Sequence, residues 1–125
     1  MLRRMLAPAL LLATIAALVA ACGTPVALRT APTESSACDE ALLAGELVAS
    51  AQSGLAVRNG DAVTEVLWPY HYTATRESTG LVLRDPTGKI VAHEGLRVTM
   101  GGGGGANGLF NACAGTVMEV SSTGG

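Results

Sequence analysis

The sequence is poor in aromatic side chains, with one Trp, two Tyr and one Phe in 125 residues. Large rings supply much of the buried apolar area of a small domain, so a core built almost without them is thin and needs reinforcement from elsewhere. Positive charge is also scarce. Eight Lys and Arg stand against ten Asp and Glu, a net charge of −2. Setting aside Arg3 and Arg4 with the apolar leader leaves six against ten, or −4. Such a balance gives no electrostatic footprint for nucleic acid. Catalytic spacings are missing too. The serines fall in turns or irregular polar stretches with no GxSxG elbow around them, and no carboxylate pair has the placement of a glycosidase. Asp61 and Glu65, four apart in one expected strand, read as solvated carboxylates. His71 and His93 have no third ligand at metal-site spacing, and no two cysteines form a CxxC pair. The chain therefore reads as neither an enzyme nor a holder of a cofactor or metal.

What is present begins with a leader. Arg3 and Arg4 precede Met5–Val19, which is apolar apart from Pro8 and Thr14, the layout of a secretory signal over residues 1–21. The run is short of the roughly 20 apolar residues of a spanning helix. It has no polar face, and Gly23, Thr24 and Pro25 stop a helix directly after Cys22. The residues Leu18, Val19, Ala20, Ala21 and Cys22 resemble the lipobox of bacterial lipoproteins. That resemblance implies cleavage before Cys22, a diacylglyceryl thioether on its nucleophilic sulfur, and often a further acyl chain on the new N-terminus. At about 0.8 kcal/mol per buried CH₂, two or three chains anchor permanently. The implied partner is membrane lipid, and the implied location is the cell membrane, with the domain facing the periplasm or the cell exterior. A cleaved, unlipidated secreted protein is the alternative.

With Cys22 assigned in this way, Cys38 and Cys113 remain, and a disulfide is their default state in an oxidising compartment. The closed loop of about 75 residues corresponds to about 4.5 kcal/mol in the chain-entropy model, comparable to the whole stability of a small domain. Reactive or metal-binding thiols are the competing reading, but neither histidine is near either cysteine in sequence. Residues 23–37, rich in Pro, Thr, Ser and Ala without periodicity, read as a flexible tether. The folded domain is then expected over 38–125.

From Ala41 the chain breaks into short segments between turns. Ala41–Ser50 fits strand or helix, with Gly45 interrupting either, and strand is favoured. Leu55–Arg58 and Ala62–Trp68 flank Asn59-Gly60, which suits a type I′ hairpin, and Pro69 ends the second arm. Gly80–Arg84 and Lys89–Ala92 flank the Asp85-Pro86-Thr87-Gly88 turn. Leu96, Val98 and Met100 alternate with Arg97 and Thr99 as in a half-buried strand, and Gly115–Ser121 closes the set. The spacing predicts an all-β domain: a small closed or partly open antiparallel barrel, OB-like or meander, of six to seven short strands.

Two stretches invite a functional reading. Trp68, Tyr70 and Tyr72 would share one face of an extended chain while His71 looks elsewhere. They form either a recognition patch, or a core plug (Trp68) with tyrosines covering a barrel end. The run Gly101–Gly105 lacks the Lys, Ser or Thr and following helix of a phosphate loop. It reads as a mobile loop or a close backbone crossing in the barrel, and less readily as an anion or carbohydrate contact.

Across residues 42–120, Trp68-Pro69, the strand Gly88-Lys89-Ile90-Val91-Ala92, Gly95 with Val98, the pair Gly101-Gly102 and the late Cys113 are together similar to a loose group of uncharacterised small bacterial lipoproteins. The chain departs from that group at Leu96, where an acidic residue is usual, and in having no cysteine near Gly54, a role that would pass to Cys38. The resemblance supports a β domain and implies no activity. The expectation is a lipid-anchored interaction or structural module of the cell envelope with a protein partner there. The alternative is a small-ligand-binding lipoprotein using the aromatic cluster at 68–72 and the glycines at 101–105.

Overall fold

The computed structural model describes residues 23–105 and 107–121. The leader and Cys22, the expected lipid attachment point, lie outside the described residues. Ten strands and no helix are present among those described: β1 (Thr24–Val26), β2 (Ala41–Ser50), β3 (Gly54–Asn59), β4 (Ala62–Leu67), β5 (Thr73–Glu77), β6 (Gly80–Arg84), β7 (Ile90–His93), β8 (Arg97–Gly104), β9 (Phe110–Ala112) and β10 (Met118–Glu119).

β2 organises the fold. Its first half pairs with β8, from Ala41 opposite Gly102 to Glu46 opposite Arg97. Its second half pairs with β3, from Glu46 opposite Arg58 to Ser50 opposite Gly54. A strand shared between two neighbours has to bend, and Gly45 stands at the handover, where a Cβ would collide with the Arg58 carbonyl oxygen. The glycine that makes a helix unattractive here is thus a packing requirement of the strand.

β3 pairs with β4, β4 with β9, and β9 with β8, which closes a five-stranded barrel in the order β2-β3-β4-β9-β8. Counted in chain order this is 1-2-3-5-4-1, the Greek-key arrangement of an OB-type barrel. The expectation of a small all-β barrel therefore holds, in its OB-like rather than its meander form, but the barrel is mixed rather than antiparallel throughout and the described residues carry ten strands rather than six to seven. Pairing is antiparallel except between β4 and β9, which run parallel, a direct result of the crossover. The β3–β4 hairpin turns on Gly60-Asp61, one residue later than expected: Asn59 pairs with Ala62, and Gly60 alone takes positive φ (61°). Asn59 instead donates its side-chain amide to the Ala44 carbonyl (3.1 Å).

The connection between β4 and β8 carries β5, β6 and β7, which with β1 form a four-stranded antiparallel sheet. Its inner residues Ala74, Leu81, Leu83 and Ala92 join Leu47, Leu55, Val57, Val66, Val98 and Met100 of the barrel in one continuous core around Trp68. His93 of β7 pairs with Glu119 of β10 and ties the sheet to the barrel.

The tether expected over 23–37 requires correction. β1 lies inside it and pairs with β5. Further on, Arg29 N–H donates to Ser53 O (3.0 Å), Trp68 N–H to Arg29 O (2.9 Å) and Ala31 N–H to Trp68 O (2.8 Å). The segment is fixed because its backbone groups complete a sheet edge and the open end of β4 and because Val26 and Leu28 pack against the core. The folded body therefore includes residues 24–31 and is not confined to 38–125. β5 and β9 were not expected either: Thr73-Ala74-Thr75-Arg76-Glu77 has only Ala74 to bury, and β9 has three residues. Leu96 does not continue β8. It sits in the preceding turn, 49% exposed, while Val98 and Met100 are fully buried.

Cys38 and Cys113 form a disulfide with Cα atoms 5.5 Å apart, closing a loop of 75 residues. It fastens the chain just before the first barrel strand to the chain just after the last.

Candidate functional site

The aromatic cluster divides at Pro69. Trp68 is fully buried and donates its indole N–H to the Leu55 carbonyl (3.0 Å). It plugs the core, out of reach of any ligand, so its placement on an exposed recognition face is corrected. After buried Pro69 the chain turns, with Tyr72 N–H donating to Pro69 O (3.1 Å). The extended alternation that would put Trp68, Tyr70 and Tyr72 on one face is lost. Tyr72 is 5% exposed, and its hydroxyl accepts the Gly115 N–H (3.1 Å), joining this turn to the turn behind Cys113.

Tyr70 and His71 remain at the surface. His71 takes a left-handed backbone (φ 64°), the one non-glycine residue to do so among those described. A conformation of this kind costs of order 1 kcal/mol or more and persists only where the surroundings enforce it. It swings the imidazole back over its neighbour, so that the two rings stack with centroids 3.8 Å apart and planes 18° from parallel. Sequence alternation pointed His71 away from the cluster; no signal in the chain other than Pro69 announces the turn that brings it back.

The stacked pair borders a cleft of about 380 Å³, inside the range of small-molecule sites. Four connections converge on it: the segment from Ala31 to Ala37, the Pro69–Tyr72 turn, Asp85-Pro86, and Ala112–Gly115 with the disulfide behind. Asp85 is held by its own turn, its Oδ1 accepting the Thr87 hydroxyl (2.6 Å) and the backbone N–H groups of Thr87 (2.9 Å) and Lys89 (3.2 Å). The Thr87 hydroxyl above all keeps its carboxyl below the ordinary 3.8; partial desolvation opposes it, and the backbone N–H groups of Thr87 and Lys89 and the Lys89 charge add smaller lowering effects. Glu34 is the other carboxylate lining the cleft, and no Lys or Arg is among the described lining residues.

The glycine run is elsewhere. Gly101–Gly104 are the end of β8, paired with β2 and β9. A Cβ at Gly102 would strike the Asn111 carbonyl oxygen, and one at Gly103 the Asp39 carboxylate. The run is a close backbone crossing at barrel closure and contributes nothing to the cleft. The expected solvated carboxylate Glu65 is also engaged: it accepts the hydroxyls of Ser50 (2.7 Å) and of fully buried Ser53, clasping the β2–β3 turn.

Barrel, added sheet and cleft together define a small OB-like domain in which this cleft, among several surface recesses of about 300–500 Å³, is the one bordered by a stacked tyrosine and histidine. No family model matches the chain, and no curated protein or solved structure is significantly similar to it.

Proposed function

We propose that the protein is a lipid-anchored binding module of the cell envelope that takes a small, neutral or positively charged molecule with a flat face into the cleft beside Tyr70 and His71. The observation that carries this reading is the cleft itself: a concave recess next to the exposed part of the aromatic cluster, rather than a flat apolar patch of the kind a protein partner would cover. Ligand charge follows from the rim. Among the described residues lining the recess, Glu34 and Asp85 are the carboxylates and there is no Lys or Arg, so an anion is repelled, whereas a ring or an organic cation gains from the part of the Tyr70 ring that His71 leaves uncovered. Cys22 supplies the anchor through the lipobox resemblance.

Saturation-transfer NMR with three sets of probes, aromatic amines, neutral saccharides and aromatic carboxylates, tests the reading. Amines or saccharides should give signal on the wild type and lose it on Tyr70→Ala, and carboxylates should give none. Signal unchanged in Tyr70→Ala, or no signal from any set, overturns the cleft as the site. Intact mass of the mature protein tests the anchor separately: an acyl-bearing Cys22 is expected, and an unmodified sulfur there overturns it.

A further inference from the structure

We infer that the end of the four-stranded sheet where β1 begins is the face that rests on the bilayer, and that the cleft is thereby held at the opposite, aqueous end. This deepens the reading above and rests on acylation of Cys22.

The chain leaves no slack for any other arrangement. Gly23 is packed in place, since a Cβ there would collide with the Glu77 carboxylate and the Arg76 carbonyl oxygen. β1 starts at the next residue, with Thr24 opposite Arg76. Cys22 is one peptide bond away, so its Cα lies about 3.8 Å from that of Gly23. The lipid would emerge directly from the sheet end rather than from a tether.

Two turns share that end: Ser78-Thr79 between β5 and β6, and Glu94–Leu96 between β7 and β8. They are joined there, because Glu94 N–H donates to Leu81 O (2.8 Å) and Leu81 N–H donates to the Glu94 carboxylate (2.8 Å). The second carboxylate at this end, Glu77, is engaged by Arg84 (3.2 Å). Both acidic groups are thus satisfied within the fold. Arg76 is exposed on β5, and Arg97, opposite Glu46 and near Glu119, is exposed next to the half-exposed Leu96. An exposed leucine followed by an arginine suits a lipid headgroup region, where arginine meets phosphate and the leucine enters the interface.

The cleft lies at the other end of the same strands. β6 runs from Gly80 at the anchor end to Arg84, and Asp85 then enters the cleft wall. At about 3.3 Å per residue these five steps separate the two by about 17 Å. The ligand would accordingly arrive from the aqueous compartment rather than from the membrane.

The full lipidated chain is reconstituted in vesicles of phosphatidylcholine and phosphatidylglycerol with a headgroup-level nitroxide lipid, and carries a fluorophore on either Ser78→Cys or Pro86→Cys. Quenching should be several-fold stronger at position 78. Acylated protein that floats with the vesicles but is quenched equally at both sites, or more at 86, overturns this orientation alone. Protein that bears no acyl group and does not float overturns the anchor and the orientation together.

Discussion

The aromatic stretch at 68–72 and the glycine stretch at 101–105 stand out equally in the sequence, yet the fold uses them in opposite ways. At their centre, Gly102 and Gly103 are buried backbone. Having no side chains, they let β8 pass so close to Asn111 and Asp39 that the barrel closes. The aromatic stretch is split by Pro69 into a half that fills the core and a half that faces solvent. What separates buried from solvent-facing residues here is the path of the chain after each one, and composition alone does not reveal it.

The largest effect is expected on the glycine side. Gly102→Ala should cost about 3 kcal/mol, because the new methyl meets a carbonyl oxygen that can retreat only by opening the β8–β9 pairing. Gly104→Ala, where a Cβ meets nothing within 4 Å, should stay within about 0.5 kcal/mol. Urea unfolding of both sharpens the contrast, and equal losses would break it. Next comes the buried aromatic half. Trp68→Phe loses the bond to Leu55 O and leaves a void, at about 2 kcal/mol, with probe binding in the cleft retained once the variant is folded. Tyr70→Ala should reverse that pattern, with binding lost and stability changed by less than about 0.5 kcal/mol.

The smallest effect concerns the turn beneath the cleft. The Asp85 carboxyl is held below its ordinary 3.8, chiefly by the Thr87 hydroxyl. Its ionised form therefore contributes stability at neutral pH that is lost as pH falls through the acid range below 3.8. Asp85→Asn should make the melting temperature slightly less sensitive to acid between pH 6 and pH 3. An unchanged acid sensitivity would remove Asp85 from the account.

Much of the fold is legible in the residues. The Asp85–Gly88 turn, the β6–β7 hairpin and the buried pair Val98 and Met100 follow from local chemistry that the tertiary structure respects. The cysteine pairing is legible too, once Cys22 is set aside. β1, β5 and β9 are not legible, because each brings only one or two apolar side chains to the core (Val26, Ala74, and Phe110 with Ala112), too few for a local pattern, and its place is set by pairing with distant strands. The cleft is half legible: Tyr70 stands out by type, but the reversal at His71 and the arrival of Ala31–Ala37 are consequences of long-range packing.

The covalent link between Cys38 and Cys113 makes the barrel a ring of chain. A protease that cuts once anywhere between those two cysteines yields two pieces that remain a single molecule, still joined to whatever Cys22 carries. With Cys22 acylated as proposed, a cut in the exposed stretch 32–37 would be different in kind: it would leave β1 on the anchor with only hydrogen bonds and packing to hold the barrel, and would turn an attached domain into one that can be shed.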